Sequence, residues 1–301
     1  MSRVFFIVGP TAAGKSGLAA DVAQRLGAEI VSADAFQIYE GFDLLTAKPD
    51  PSIRAKVPHY LIGTVPPGEE MNVEKYRDGS QKIIQEIAAR GKPAIVVGGS
   101  GLYVKALTHG LAPLPGANER LREKLDRATS QELVRSLRAL DPVTAEKIDH
   151  QNRRRLIRAV EVCLLTGKPL STQLGSNRQD ACATNGVFVY RDRPELYARI
   201  DRRVEEMFEN GVVDEVRGQE DLGPTAEKTL GLREIRALLV GEISQAECIA
   251  KIQQATRRYA KRQLTWFQRQ SNFTPLNLSA HRSSELVEVI SQNALRAFAR
   301  G

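Results

Sequence analysis

The chain has 301 residues, a formal net charge of +7, 42% hydrophobic residues and 26% charged residues. This composition excludes a disordered or fibrous protein and allows one large domain, or a core with an inserted second piece. Every apolar run is shorter than the roughly 18 residues of a membrane span, so no membrane partner is expected; the basic balance allows an acidic partner such as nucleic acid.

The first predicted element is a buried strand, since "VFFIV" (4–8) is apolar and rich in β-formers. "GPTAAGKS" follows at residues 9–16 with the spacing of a phosphate-binding loop, and residues 15–26 then show helical apolar spacing. Strand, loop and helix are the context that this motif requires. The predicted phosphate-binding residues are Gly9, Pro10, Thr11, Ala12, Ala13, Gly14, Lys15 and Ser16.

Physical chemistry gives these loop residues distinct roles. Glycines let the backbone turn so that its N–H groups face phosphate oxygens, and the helix adds its positive N-terminus. Lys15 neutralises phosphate charge, and Ser16 is placed to ligate Mg²⁺. We therefore expect Mg²⁺ as the cofactor, with Ser16 as its protein ligand.

A second strand is predicted over residues 29–34 and ends on Asp34, within "SADAFQIY" (32–39). Active-site residues of open α/β sheets collect at the carboxyl ends of strands. Position alone leaves Asp34 open as a metal ligand, a general base or a structural helix cap. Gln37 and Tyr39 follow it, and this polar and aromatic composition is typical of a surface that receives a substrate.

A helix is predicted over 72–90 and a third strand over 93–101, "PAIVVGGSG", which runs into a glycine turn. Ser100 in that turn offers a hydroxyl to a phosphate or to a base edge; the alternative is an ordinary glycine turn. Strands that alternate with helices indicate a parallel α/β sheet.

The pattern changes at "GLAPLPGAN" (110–118), where prolines and glycines interrupt it. Residues 119–165 then show helical patterns alone, with an excess of basic residues, and a strand returns at 186–191. The predicted domains are a core of residues 1–113 and 183–301 and a helical insertion of residues 114–182. The remaining predicted helices span 194–217, 225–240, 244–270 and 284–299.

Two basic clusters favour a nucleic-acid partner. "QNRRRLIRAVEV" (151–162) carries arginines at helical spacing, and "ATRRYAKRQLTWF" (255–267) has four basic residues interleaved with aromatics in an acid-free stretch. Such helices suit phosphate backbones and stacked bases; the alternative is a solvated helix face. "KTLGLRE" (228–234) is either a loop that reaches a phosphate or a plain helix start.

Taken together, these stretches resemble one family, the tRNA dimethylallyltransferases, also called isopentenyl-diphosphate:tRNA transferases. The matching blocks occur in family order over nearly the whole chain. They are "GPTAAGKS", "SADAFQIY", "TAKP" (46–49), "PH" (58–59), "VVGGSGLY" (96–103), "GLAPLP" (110–115), "RRLIRAVEV" (154–162), "TGKP" (166–169), "GLRE" (231–234) and "AKRQLTWF" (260–267).

The resemblance implies a P-loop kinase-like parallel sheet core with an inserted all-helical domain that grips the anticodon arm of tRNA. It also implies transfer of a dimethylallyl group from dimethylallyl diphosphate to N6 of the adenosine just 3′ of the anticodon. The loop would then hold the diphosphate of that donor instead of a nucleoside triphosphate.

Site residues carry over position by position. Asp34 matches the family's general base, Ser100 its hydroxyl near the reacting groups, and Lys15 and Arg233 its cations for the diphosphate. The residues that match tRNA contacts are Asp34, Ala35, Phe36, Gln37, Ser100, Arg122, Arg154, Arg155, Leu156, Ile157, Arg158, Lys228, Thr229, Gly231, Leu232 and Arg233.

Three positions depart from the family pattern. Serine is usual where this chain has Ala13, and serine is also usual directly after the catalytic aspartate, where this chain has Ala35. A family glycine is replaced by Leu45. Because Ala35 removes a hydrogen-bonding hydroxyl beside the base, we expect a lower rate than is typical of the family.

Three other functions are compatible with parts of the pattern. The first is an isopentenyltransferase that acts on free adenine nucleotides, which would share the loop and Asp34 but would not need the helical insertion. The second is a small-molecule kinase that uses ATP. The third is a nucleic-acid-binding module with a vestigial phosphate site, against which the intact Lys15 and Ser16 speak.

Cysteine and histidine usage bears on the compartment. Cys163, Cys182 and Cys248 have neither a metal-ligand spacing nor a pairing pattern, and the four histidines are scattered. The first apolar run leads directly into the glycine loop, unlike a secretory signal. We therefore expect a cytoplasmic protein, and the family resemblance implies a monomer.

Overall fold

The computed structural model describes residues 3–175, 185–270 and 272–300. The chain forms two compact units, Met1–Thr108 with Ala183–Gly301, and His109–Cys182. The predicted insertion runs from residue 114 to residue 182. The end of that predicted insertion, with Cys182, lies outside the described residues.

The larger unit is built on a parallel sheet, and this confirms the predicted α/β class. The strands run in the order β3-β2-β4-β1-β5-β6, and each pairs in parallel with its neighbours. They are β1 (Val4–Val8), β2 (Glu29–Ala33), β3 (His59–Tyr60), β4 (Ala94–Gly98), β5 (Gly186–Tyr190) and β6 (Thr274–Asn277). The two edge strands, β3 and β6, were not predicted because they are too short to show a periodicity.

The α-helices are α1 (Lys15–Leu26), α2 (Pro51–Arg54), α3 (Val73–Ala89), α4 (Gly101–His109), α5 (Glu119–Arg127), α6 (Ser130–Leu140), α7 (Pro142–Lys147), α8 (Arg153–Thr166), α9 (Leu170–Gly175), α10 (Arg193–Glu209), α11 (Val212–Arg217), α12 (Leu232–Leu239), α13 (Gln245–Gln268) and α14 (Ser283–Arg300). A 3₁₀ turn covers Ala226–Lys228. In the described ranges, none of them is long and apolar enough to cross a membrane.

Local sequence explains where these helices begin and end. The predicted helix 194–217 is two helices, since Gly211 between α10 and α11 takes φ 92°. That left-handed conformation suits glycine and ends the first helix. α3 begins where predicted, because the Asn72 side chain accepts the N–H groups of Glu74 and Lys75.

The sheet has a core on each face. Phe6 and Val8 of β1 pack in one hydrophobic cluster, and Phe5 and Ile7 pack in the other. Burial on both faces explains why β1 is a continuous apolar run without alternation. The carboxyl ends of β1, β2 and β4 therefore sit at one edge of a rigid sheet, where the three predicted loops begin.

The smaller unit is helical, as predicted. Leu133 and Leu137 of α6 pack against Leu156 and Val160 of α8 in a separate apolar cluster. α6 begins with a capping box between Thr129 and Glu132, which satisfies two backbone donors at its N-terminus.

Candidate active site

The loops that follow β1 and β2, together with the carboxyl end of β4, line one cavity of about 640 Å³. Its wall includes the phosphate-loop residues Thr11 and Lys15, the carboxylate of Asp34 and the guanidinium of Arg203. Sequence motifs predicted the first three of these residues. The parallel sheet brings them together because the carboxyl ends of its strands share one edge.

The phosphate loop has the backbone that its glycines permit. Gly14 at the start of α1 has φ 96° and Ala12 has φ 62°. A Cβ at Gly9 would lie 2.0 Å from the carbonyl oxygen of Val189 in β5, so only glycine fits there. The Lys15 ammonium folds over the loop and donates to the Pro10 carbonyl, with 2.6 Å between the two atoms.

Three arginines that the sequence analysis did not single out hold this loop. Arg191, directly after β5, donates from Nε to the Ala13 carbonyl at 2.8 Å. On α10, Arg199 donates from Nε to the Ala12 carbonyl at 2.9 Å.

Arg203, one helical turn beyond Arg199, donates from Nη2 to the Thr11 hydroxyl at 2.9 Å. The four-residue spacing of Arg199 and Arg203 on one helix face was the available sequence signal. That spacing alone does not indicate a phosphate-loop contact. The contact arises because the fold places α10 beside the loop.

Two buried cations lie beside the phosphate loop in this cavity. Burial lowers the pKa of Lys15 to about 8, Asp34 opposes this shift, and Arg203 adds to it. Burial also lowers the pKa of the Arg203 guanidinium, again against the attraction of Asp34. Within the described chain, Arg203 Nε is buried and makes no hydrogen bond. An anion on this loop would pair these cations and relieve their repulsion.

Asp34 lies at the end of β2 with one carboxylate oxygen engaged. Its Oδ1 accepts the backbone N–H groups of Phe36 at 3.0 Å and Gln37 at 3.4 Å. Among the described residues, no hydrogen bond to Oδ2 is present, and the side chain lines the cavity. Oδ1 therefore caps a turn, which is one of the three roles left open for Asp34, and Oδ2 remains available for a metal or a proton.

Ser100 connects the end of β4 to the end of β2. Its Oγ accepts the Ala35 N–H at 2.9 Å, and its own N–H donates to the Ala33 carbonyl at 3.1 Å. A Cβ at Gly98 would lie 2.1 Å from that same Ala33 oxygen, so the glycine turn is needed for close packing of the strands. The Ser100 hydroxyl thus holds the backbone next to Asp34.

The segment around "TAKP" closes one wall of the cavity. Gln37 donates from Nε2 to the Ala47 carbonyl at 2.9 Å, and the buried Lys48 ammonium contacts the Asp43 carboxylate at 2.6 Å. Glu215 of α11 accepts the backbone N–H groups of residues 43–45.

Leu45, which replaces a family glycine, is buried. A Cβ at Gly231 would lie 3.1 Å from the Leu45 Cδ1 atom, so the two positions are complementary in size.

In the helical unit, the predicted tRNA contacts fall into two groups. Arg154 and Arg155 are exposed at the start of α8. Leu156 and Ile157 are buried in the unit's core, and their contact with tRNA stays a prediction.

The remaining predicted arginines of this unit converge on one buried carboxylate, Glu161. Arg122 Nε donates to Glu161 Oε1 at 2.9 Å, and Arg158 Nη1 donates to Oε2 at 2.7 Å. Burial alone would raise the pKa of Glu161, but these two guanidinium groups and the Asn118 N–H hold that pKa below its usual range.

The predicted tRNA contacts at 228–233 also include both exposed and buried residues. Lys228 and Arg233 are exposed, whereas Thr229 and Leu232 are buried beside the core. Arg233 lies in the first turn of α12 and is not part of the cavity wall. The structure therefore does not bring Arg233 to the phosphate loop, and its role stays a prediction.

Aromatic and basic side chains lie beside Asp34 on the facing helix. The rings of Phe36 and Tyr259 of α13 are 6.3 Å apart, and the Arg262 guanidinium lies 5.7 Å from the Tyr259 ring centroid. Burial, followed by the charge of Asp34, raises the pKa of Tyr259, so this phenol stays neutral. Lys261 on the same helix is exposed.

The donor set bears on the expected Mg²⁺. Ser16 and Asp34 both line the cavity and offer a hydroxyl and a carboxylate oxygen. In the described ranges, no three or more His, Cys, Asp or Glu side chains are grouped so that they could hold a metal ion by themselves. Mg²⁺ is commonly bound through one or two protein oxygens, water and substrate phosphates, and this donor set fits that arrangement.

The fold and the site define a class: a P-loop-type α/β protein whose phosphate loop and a carboxylate line one cavity. Comparisons with known proteins give the family. A family profile described as IPP transferase matches residues 37–270, and one described as isopentenyl transferase matches residues 2–56. The chain belongs to the IPP transferase family, whose curated members are named tRNA dimethylallyltransferases.

Individual relatives match over nearly their full length. The tRNA dimethylallyltransferase of Geobacter metallireducens is 42% identical over 282 residues, which cover 90% of this chain and 91% of the relative. The crystal structure of a tRNA isopentenylpyrophosphate transferase from Bacillus halodurans matches with a TM-score of 0.73 at 33% identity, and covers 100% of this chain and 98% of that one.

A eukaryotic dimethylallyltransferase acting on tRNA has the same fold. It matches with a TM-score of 0.83 at 24% identity, over 97% of this chain and 79% of that one.

Proposed function

We propose that this protein transfers a dimethylallyl group from dimethylallyl diphosphate to N6 of the adenosine 3′-adjacent to the anticodon of tRNA. The observation that carries the proposal is the cavity in which Lys15 and Arg203 surround the phosphate loop and face Asp34. A diphosphate supplies the anion that these cations lack, and membership of the family supplies the acceptor.

The first half of the chemistry is departure of the diphosphate. The allylic C–O bond breaks, its electron pair leaves with the diphosphate oxygen, and positive charge develops on the allyl carbon. The loop N–H groups, Lys15 and Arg203 are preorganised where that negative charge grows, so they stabilise the transition state more than the ground state.

The second half is attack by the exocyclic amine. N6 of adenine is a weak nucleophile because its lone pair is delocalised into the ring. As the N–C bond forms, one N6 proton passes to Asp34 Oδ2, the oxygen that the turn leaves unengaged. General-base catalysis of this kind contributes about 10²–10⁴-fold. The adenine has to leave its stack to reach this position.

We also propose Mg²⁺ as the cofactor. Ser16, with the diphosphate oxygens, would hold the ion, which when bound supplies further positive charge at the leaving group. The protein's own part is to present the Ser16 hydroxyl toward the same cavity as Lys15.

The proposal includes a docking surface for the anticodon arm. In the helical unit, the exposed Arg154 and Arg155 begin α8, and Arg122 and Arg158 are oriented by Glu161. These guanidinium groups suit phosphate contacts. The protein would act as a monomer in the cytoplasm, where tRNA is found; Cys163 and Cys248 are both buried and unpaired.

Transfer to free adenine nucleotides is the second candidate, and the comparisons do not favour it, because the relatives that match nearly the whole chain are tRNA enzymes. A mononucleotide acceptor would also not require the helical unit and its arginines as a docking surface.

The test is nucleoside mass spectrometry after incubation with unmodified tRNA, Mg²⁺ and dimethylallyl diphosphate. AMP replaces tRNA in a parallel reaction, and EDTA replaces Mg²⁺ in a third. We expect N6-dimethylallyladenosine from tRNA alone and only with Mg²⁺. Product from AMP alone would transfer the protein to the second candidate, and full activity in EDTA would remove the metal.

A further inference from the structure

Gln263 is a buried polar residue near the C-terminal end of α13, directly after the exposed Arg262. Its amide touches two loops of the active site. Oε1 accepts the Thr11 N–H of the phosphate loop at 2.8 Å, and Nε2 donates to the Gly99 carbonyl at 2.9 Å. These partners are 252 and 164 residues away in sequence.

The contact with Gly99 continues to the proposed base. Gly99 is followed by Ser100, whose hydroxyl accepts the Ala35 N–H next to Asp34. A Cβ at Gly99 would lie 2.3 Å from Gln263 Nε2, so the glycine is what lets the amide approach. One side chain thus connects the loop for the diphosphate with the strand end that holds the base.

A side-chain amide satisfies both partners at neutral pH. Thr11 presents a donor and Gly99 presents an acceptor, so the bridging group must accept at one atom and donate at the other. A leucine would leave both backbone groups unpaired in a buried place, and an ionised glutamate would face the Gly99 oxygen with negative charge. A protonated glutamate, with one O–H and one C=O, reproduces the amide pattern.

We propose that Gln263 is a positioning residue that sets the distance between the leaving diphosphate and the base, without touching either substrate. The inference rests on the proposed function, because it concerns the alignment of the same two halves. Misplacement of reacting groups by about 1 Å costs on the order of 10²-fold in rate. The phosphate loop would still bind the diphosphate, and the region of Asp34 would still bind tRNA. Loss of Gln263 should therefore lower kcat and leave tRNA affinity unchanged.

Steady-state kinetics of Gln263→Leu and Gln263→Glu test this between pH 6 and pH 8, with every rate divided by that of the wild-type protein at the same pH. We expect kcat of Gln263→Leu to fall about 10–100-fold at all pH values, with tRNA affinity within about twofold. The relative kcat of Gln263→Glu should be low at pH 8. It should rise about fivefold or more between pH 8 and pH 6, because the buried carboxyl takes up a proton.

Either of two kinetic results would overturn the proposal. The first is a kcat of Gln263→Leu within about twofold of wild type. The second is a relative rate of Gln263→Glu that does not change with pH. The rate would then depend on the volume of the side chain at this position and not on its hydrogen bonds. Gln268→Glu adds the same charge at an exposed position of α13 and should leave kcat unchanged.

Hydrogen exchange separates this inference from the proposed function. In Gln263→Leu, peptides covering 9–16 and 96–102 should both exchange faster than in wild type, whether or not the wild-type protein forms product. Unchanged exchange in both peptides would overturn the bridge itself. A wild-type protein without activity, together with faster exchange, would instead refute the proposed function and leave the bridge standing.

Discussion

At the scale of single residues, the two oxygens of Asp34 differ in their hydrogen bonding. Oδ1 accepts two backbone N–H groups, and an asparagine keeps that acceptor. Asp34→Asn therefore preserves the turn but removes the proton acceptor. We expect turnover to fall about 10²–10⁴-fold while tRNA affinity, measured by filter binding, stays within about twofold. Turnover near the wild-type rate would show that Asp34 is not the base.

Lys15 gives the site a pH dependence with a definite sign. Because burial lowers its pKa to about 8, Lys15 is charged below that pH and neutral above it in the free protein. Affinity for inorganic diphosphate should therefore weaken above pH 8, by up to about tenfold per pH unit, as one cation is lost. Calorimetric titration between pH 7 and pH 10 measures it.

The matched control for this titration is Lys15→Arg, since a guanidinium stays charged over the whole range. Ionisation of the diphosphate itself affects both proteins equally, so the difference between them isolates the lysine. Identical pH profiles for the two proteins would contradict the assignment of this pH dependence to Lys15.

Residue types and spacing predicted Lys15, Ser16 and Asp34 for the cavity because each lies in a short local motif at a strand end. Arg203 and Gln263 were missed for the opposite reason. Their partners at Thr11 lie 192 and 252 residues away, and no local spacing encodes such contacts. The sequence feature that could have identified them is a polar or charged side chain at a helix position whose apolar spacing predicts burial.

At the scale of elements, the helical unit depends on one buried carboxylate. Glu161 is fully buried and holds Arg122 and Arg158. Removing one partner of a buried pair costs about 3–5 kcal/mol, and partial exposure of the two arginines reduces that cost here. Glu161→Gln should therefore lower the free energy of unfolding by about 1–3 kcal/mol and weaken tRNA binding.

Urea unfolding followed by circular dichroism measures the loss. Because the pKa of Glu161 lies below its usual range, the pairing is present at neutral pH and is lost only as the solution becomes acidic through that pKa. Glu123→Gln, an exposed change on α5, is the control and should leave the midpoint unmoved. Equal midpoints for the two variants would mean that Glu161 does not organise the unit.

Element boundaries were predictable where a cap or a glycine marks them, as at both ends of α1. The break at Gly211 was missed, because helical apolar spacing continues on both sides of it. β6 was missed because its four residues, "TPLN", carry no alternation. That strand exists because β5 offers it a partner edge, which is a property of the sheet and not of the segment.

At the scale of the whole molecule, the net charge of +7 should govern tRNA binding. Each neutralised phosphate releases counterions, so the logarithm of the affinity should fall linearly with the logarithm of salt concentration, by about 0.7–0.9 per contact. Two sources of this slope must be separated: general attraction by the basic protein and specific contacts on α8. Filter binding between 50 and 200 mM salt, for variants matched in charge, separates them.

Arg154→Ala removes an exposed guanidinium at the start of α8, and Arg138→Ala removes one from α6 of the same unit. Both variants lose one charge, so general attraction falls equally in the two. If Arg154 contacts a phosphate, its loss alone should reduce the salt slope by about 1. Equal slopes for both variants and for the wild type would remove α8 as a docking surface, whereas an equal reduction in both would assign the salt dependence to net charge.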